Sequence, residues 1–149
     1  MGSPDQDCTV TDSPAGWVAR HIREYVETDG RTGARRWGTD ILLLTTRGRK
    51  TGLLRRTALI YGMDGDRYLV VPSNGGSAKH PAWFLNLLAD PKVEVQVMGD
   101  MISAVARVAT DEEKPRLWDR MVSAFPTYRT YQTKTKRVIP VVIIERADD

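Results

Sequence analysis

Cysteine is almost missing from this chain. Cys8 is the only one among 149 residues, so no intramolecular disulfide framework holds the fold, and its polar surroundings offer it no partner. Histidine is nearly as scarce. His21 and His80 stand far apart, with no spacing that suits a zinc site, and no metal is expected. No apolar run approaches the roughly 18–20 residues of a membrane-spanning helix. The segment Met1–Gly16 is polar and lacks the apolar centre of a signal peptide. These absences point to a cytoplasmic protein. Surplus charge is also small: a net +3 favours a local anionic ligand over a long polyanion, and no nucleic acid is expected as a partner. The strands offer few exposed aromatics on which bases could stack. No internal repeat is present. No Ser-His-Asp or Cys-His arrangement can be assembled, and the acidic residues fall on exposed helical positions and turns, which leaves a two-carboxylate hydrolase without support.

What the chain does have is a concentration of cations and glycines between two apolar runs. From Thr45 to Arg56 it places Arg47, Arg49, Lys50, Arg55 and Arg56 beside Gly48 and Gly52, with hydroxyls from Thr45, Thr46 and Thr51. Glycines let backbone N–H groups turn inward, and Arg and Lys add charge-assisted donors, which is the chemistry of a loop that grips phosphate or carboxylate. It is not a Walker loop, because that motif needs an earlier glycine where Leu43 and Leu44 still read as strand. A solvated basic hairpin loop explains the same residues equally well.

The composition, 41% hydrophobic over 149 residues, suits one domain with a real core. Residues 1–16 read as a disordered tail and residues 17–149 as a single domain. Trp17 to Glu27 has the spacing of an amphipathic helix, with Trp17, Val18, His21, Ile22, Tyr25 and Val26 on one stripe. That stripe implies packing onto the domain. Its second use would be weak contact with a membrane surface, seating the protein at the inner face of the membrane. Ile41–Thr46 reads as a strand buried on both faces, followed by strands at Thr57–Tyr61 and Arg67–Val71 around an Asp64-Gly65 turn. Pro81 opens a helix that Asp90-Pro91 closes. Val93–Met98 and Met101–Ala109 are strands joined at Gly99-Asp100. Thr110 and Glu113 form a capping box at the start of a helix that Pro126 ends. Val138–Ile144 is a last strand, placed at an edge or bulge by Pro140. The pattern is α+β, mainly β with flanking helices: a small, mostly antiparallel barrel.

A second loop, Ser73-Asn74-Gly75-Gly76-Ser77-Ala78-Lys79, lies between a strand and a helix start. Backbone donors, a hydroxyl and a cation would point to the same side as the positive end of that helix, although the same residues are ordinary turn formers. Two cationic, Gly-containing loops in one small domain could hold two parts of an extended anion. Tyr128 and Tyr131, three apart after Pro126, share a face if the chain turns helically there, and a phenol can both stack and donate a proton. Core-rim packing is their alternative role. Trp83 and Phe84, on a leucine-rich helix, suit the core, and His80 suits a cap or the surface.

Three motifs together are similar to the deazaflavin-dependent nitroreductase family, small split-barrel proteins that use coenzyme F-420 in actinobacteria. They are Leu43 to Gly52 with Arg55; Ser73-Asn74-Gly75-Gly76 with Lys79 to Leu87 and Asp90 to Val93; and Pro126-Thr127-Tyr128 with Tyr131-Gln132 and Ile139 to Val142. The resemblance spans about Ile41 to Glu145. It implies an FMN-binding-like split barrel and hydride transfer from the reduced deazaflavin to a small conjugated acceptor: quinone, enone or nitroaromatic. It also implies that Arg49, Lys50 and Arg55, with Thr51, bind the phosphate and polyglutamate tail. Ser73, Asn74, Gly75 and Gly76 would line the ring site, and Lys79, Pro81, Ala82, Trp83 and Asn86 would shape the groove. Tyr128 and Tyr131 would flank the substrate, a Tyr or a water held by Ser73 supplying the proton. Asn74 stands where Lys is common, Ile60 where some nitro-reducing members carry an aromatic, and Phe125 where Tyr or Trp is common. A non-enzymatic F-420 carrier and a flavin mononucleotide protein are the alternatives on the same fold. The oligomeric state stays open.

Overall fold

The computed structural model describes residues 10–12, 16–31, 35–36 and 39–147. Its centre is set by the unbroken apolar run of strand β3 (Thr39–Arg47). Leu42 and Leu44 point into the main core, whereas Ile41 and Leu43 face the other way and pack under a helix. This two-sided burial matches the reading of that run. Strands β4 (Leu54–Asp64), β5 (Arg67–Val70), β6 (Lys92–Val97), β7 (Asp100–Val108) and β8 (Val142–Arg146) complete the sheet. Its pairings close the ring β3-β4-β5-β8-β7-β6-β3, a six-stranded barrel in which every contact is antiparallel. Two short strands extend it. β1 (Val10–Asp12) runs parallel to Leu54–Arg56 of β4, and β2 (Arg35–Arg36) is antiparallel to β3.

The helices cover what the barrel leaves apolar. α1 (Gly16–Thr28) packs Ile22 and Tyr25 onto Ile41 and Leu43. The Tyr25 hydroxyl accepts from the Met98 N–H at 2.6 Å and faces the carbonyl of Ile41 at 3.1 Å, which pins α1 to the turn after β6. α2 (Ala82–Ala89) contributes Phe84 and Leu87 to the barrel core. α3 (Lys114–Ala124) and α4 (Thr127–Thr133) set Leu117, Met121, Val122 and Tyr128 against Leu69, Ile139, Val141 and Ile143. The capping box at the start of α3 is present in both directions: the Thr110 N–H donates to Glu113 Oε1 (2.9 Å) and the Glu113 N–H to Thr110 Oγ1 (3.2 Å).

Several boundaries differ from the sequence reading. Cys8 and most of the expected tail lie outside the described residues, but Val10–Asp12 within it is a strand, held by backbone pairing that no side-chain pattern announces. β4 begins at Leu54, so Arg55 and Arg56 are strand residues and not part of the basic loop. The last strand starts at Val142, after Pro140, whose nitrogen has no proton to give a ladder. The membrane-surface use of α1 finds no support, because Ile22 and Tyr25 of its apolar stripe are both 0% exposed and packed onto the barrel. Among the described residues, no helix is long and apolar enough to cross a membrane, and no cluster of ligating side chains could hold a metal ion.

Candidate active site

A groove of about 1190 Å³ runs along β4. Arg55, Arg56, Thr57, Ala58, Leu59 and Ile60 all line it. At about 3.3 Å per strand residue, the step from Arg55 to Ile60 separates its two ends by about 16 Å. The ends differ in character. One holds Arg49, Lys50, Arg55 and Arg56, while the other gathers Ile41, Ile60, Val71, Phe125, Tyr128 and Tyr131 with His21. Among the described residues no Asp or Glu lines any part of it. Such a groove selects an elongated ligand with an anionic tail and a flat, less polar head.

The turn between β3 and β4 shapes the cationic end. Gly48 N–H donates to the Leu53 carbonyl (2.7 Å), Gly52 N–H to the Gly48 carbonyl (2.8 Å), and Leu53 N–H to Thr51 Oγ1 (3.2 Å). A Cβ on Gly48 would sit 2.9 Å from Thr51 Oγ1, so this tight turn needs glycine there. Arg47 folds back on its own turn to bond the Gly52 carbonyl and does not line the groove. Arg49 is tethered across to α2: Asn86 Oδ1 accepts from its backbone N–H (3.1 Å) and from its Nη1 (3.2 Å). Asn86 Nδ2 in turn donates to Thr46 Oγ1 (3.2 Å). Lys50 and Arg55 are exposed and have no ion-pair partner among the described residues.

The second loop follows β5. Ser73 is buried, and Asn74–Gly76 makes a short 3-10 turn in which all three residues have positive φ. Asn74 Nδ2 donates to the Lys79 carbonyl (3.0 Å) and the Lys79 N–H to Ser77 Oγ (3.2 Å), closing the loop on itself. Arg137 clamps it from outside. Its guanidinium donates to the carbonyls of Pro72 (3.2 Å), Ser73 (2.9 Å) and Ser77 (2.9 Å). Gln132 fixes that segment by donating to the Arg137 carbonyl (2.7 Å) and accepting from the Ile139 N–H (2.8 Å).

Tyr128 and Tyr131 lie on α4 with ring centroids 6.5 Å apart. The Tyr128 ring also meets Phe125 edge-on at 5.1 Å. Tyr128 is 4% exposed, and its hydroxyl has no hydrogen-bond partner among the described residues. Burial, reinforced by Tyr131, pushes its phenol well above the ordinary value of 10. It therefore keeps its proton at any physiological pH.

Of the residues singled out in the sequence, Arg49, Lys50, Thr51, Arg55, Ser73, Asn74, Gly75, Lys79, Pro81, Ala82, Trp83, Asn86, Tyr128 and Tyr131 all line this one groove. Gly76 does not. A Cβ there would stand 2.8 Å from the Tyr131 carbonyl oxygen, so Gly76 is the point where the second loop presses against α4. Sequence reasoning had Arg56 only as a cation of the basic loop, and it missed Thr57 and Ala58, which line the groove from β4. It also missed Arg137, which lies outside every recognisable motif, and it gave His80 no place in the groove it helps to line.

A closed six-stranded barrel with such a groove defines the split-barrel class. At the level of fold alone, it is shared with the haem storage protein HutZ from Vibrio cholerae (12% identity, TM-score 0.58, 89% of this chain and 92% of that one). The profile of the F420H(2)-dependent quinone reductase family matches residues 17–146, and the chain belongs to that family. It is 38% identical over 143 residues to an F420H(2)-dependent quinone reductase of Mycobacterium tuberculosis, covering 87% of this chain and 96% of that protein. A solved F420-H2-dependent reductase (FDR-A) superposes with TM-score 0.66 at 42% identity, covering 70% of this chain and 93% of that one. A second solved structure, described as a domain-swapped dimer, gives 0.68 at 38% identity over 89% of this chain and 100% of that one. The cofactor is accordingly F-420, and the chain is an oxidoreductase.

Proposed function

We propose that this protein reduces quinones, with the F-420 tail at the cationic end of the groove and the acceptor beside Tyr128 and Tyr131. One observation carries the reading: four cations with no carboxylate among them, about 16 Å along β4 from an apolar, tyrosine-bearing wall. That is the donor set a phosphate-and-carboxylate tail needs, and it fits the cofactor. Lys50 and Arg55 would bind the tail directly. Arg49 would do so from a backbone position set by Asn86. The Ser73–Lys79 loop, with Pro81, Ala82 and Trp83, would frame the ring.

When bound in reduced form, the cofactor supplies a hydride to the acceptor. The residues do the rest. The second loop and α2 orient the ring, and Ile60, Val71 and Phe125 keep water from the reacting face. Tyr128 offers an O–H that stays protonated and can polarise the acceptor oxygen. Ile60 puts an aliphatic side chain where some nitro-reducing members carry an aromatic, and Phe125 lacks the polar group of a Tyr or Trp; the more apolar acceptor end that results favours a quinone over a nitroimidazole. Purified protein given reduced F-420 and a panel of quinones, enones and nitroaromatics tests this. Quinones should be turned over with the highest kcat/KM. Binding of F-420 without turnover of any acceptor would mark a carrier protein instead.

A further inference from the structure

We propose that His80 is a further ligand-contacting residue of the groove, a neutral imidazole whose Nε2–H donates to an acceptor oxygen of the bound cofactor, and that Arg137 is the positioning residue that holds it in this form. The proposal rests on the reading that the groove binds F-420.

Arg137 Nη1 lies 3.1 Å from His80 Nδ1. A guanidinium can only donate, so Nδ1 must be the acceptor. The ring proton then sits on Nε2, and a second proton on Nδ1 would set N–H against N–H. Arg137 cannot easily turn away, because its other guanidinium nitrogens are engaged by the carbonyls of Pro72, Ser73 and Ser77. The imidazole is held from its face as well, with its centroid 4.8 Å from that of Phe84. Burial and the Arg137 charge both push His80 below its ordinary value of 6.5, in keeping with a neutral ring.

The other ring nitrogen is left to act. Nε2 has no hydrogen-bond partner among the described residues, and His80 lines a groove with no Asp or Glu in its wall. Water can take that N–H in the open groove, and a ligand that displaces the water must replace it; the carbonyl and phosphate oxygens of a deazaflavin cofactor are such acceptors. The role differs from that of the nearby cations. Lys50 and Arg55 would hold the anionic tail by charge-assisted contacts on flexible side chains, whereas a neutral N–H on a clamped ring recognises one atom at one angle. The same clamp ties the second loop to the chain just after α4, so the cofactor-side donor and the tyrosine-bearing helix share an anchor.

Two measurements test the proposal. The first is the long-range 15N–1H correlation pattern of His80 in the cofactor-free protein near pH 7. It should show a protonated Nε2 and an unprotonated Nδ1, and Arg137→Met should convert this to a mixture of tautomers. The second is titration with F-420. His80→Phe keeps a stacking ring and removes the donor, and should weaken binding about tenfold. His80→Gln restores an N–H near the Nε2 position and should bind within about threefold of the parent. A protonated Nδ1 in the parent, or a spectrum unmoved in folded Arg137→Met, overturns the role of Arg137. Equal affinity of His80→Phe and the parent overturns the ligand contact. Should Arg137→Met fail to fold, the parent spectrum and the two His80 variants still decide. A parent protein that binds no F-420 at all would refute the groove assignment itself, while the spectra would report separately on the Arg137–His80 pair.

Discussion

Asn86 Oδ1 accepts two hydrogen bonds from one residue, Arg49: the backbone N–H at 3.1 Å and Nη1 at 3.2 Å. The pair joins α2 to the β3–β4 turn, and so joins the wall of the groove to its cationic end. Because Asn86 is 4% exposed and also donates to Thr46, its amide cannot rotate without leaving buried groups unpaired. The turn that carries Lys50 is thereby preset before any ligand arrives.

Asn86→Ala removes that tether while leaving every cation in place. The expected result is a folded protein that binds F-420 about tenfold more weakly, from the loss of contacts worth about 0.5–1.5 kcal/mol each. Isothermal titration of the variant checks this. Unchanged affinity would mean that the turn holds its shape without α2.

The tyrosines call for a comparison of hydroxyl deletions. Tyr128→Phe keeps the ring that packs on Phe125 and Tyr131, so the fold should persist. If the Tyr128 O–H assists the acceptor oxygen, kcat should fall by about 10²-fold while F-420 affinity stays within about twofold. A rise in KM alone would limit the hydroxyl to orienting substrate. Tyr131→Phe is the control. Full turnover in both variants would make these phenols packing residues and leave solvent, or a water held by Ser73, as the proton source.

Stability should carry a signature of the Arg107–Glu113 pair on the far side of the barrel. The Arg107 guanidinium donates to both Glu113 oxygens (2.8 and 2.9 Å), and with the Thr110 N–H it lowers the carboxyl from 4.5 to about 2. A depressed carboxyl stabilises the folded state above its ordinary value and loses that contribution as pH falls toward the folded value. Glu113→Gln can still accept from the Thr110 N–H, so it isolates the charge. Its Tm should lie below that of the parent at pH 7, and the gap should close between pH 4.5 and 2. A gap that stays constant with pH would show that the ion pair adds nothing.

How much of this was legible in the sequence depended on whether the signal was local. The run Ile41–Leu44 announced a strand buried on both faces, and Thr110 with Glu113 announced a helix start, because each is decided within a few residues. The second loop could be placed beside a helix start, and the groove residues could be grouped from the motif resemblance. What could not be read was non-local. Val10–Asp12 is a strand only because Leu54–Arg56 offers it a free edge. Arg55 and Arg56 look like loop cations until the pairing with Thr46 and Thr45 extends β4 beneath them. Arg137 acts on carbonyls some sixty residues away, and Gly76 sits where the second loop presses against α4 with a positive φ. In each case the partner, and not the residue, carries the information.

The most direct test of the account is a side-by-side titration of the parent protein and a Lys50→Ala/Arg55→Ala double variant with F-420 and with flavin mononucleotide, at one fixed ionic strength. If the cationic end of the groove grips the long anionic tail, the parent should prefer F-420. The double variant, folded by circular dichroism, should lose about 3 kcal/mol or more of that binding, since each charge-assisted contact is worth about 1.5–3 kcal/mol. Tighter binding of flavin mononucleotide by the parent, or an F-420 dissociation constant unmoved in the double variant, would contradict it.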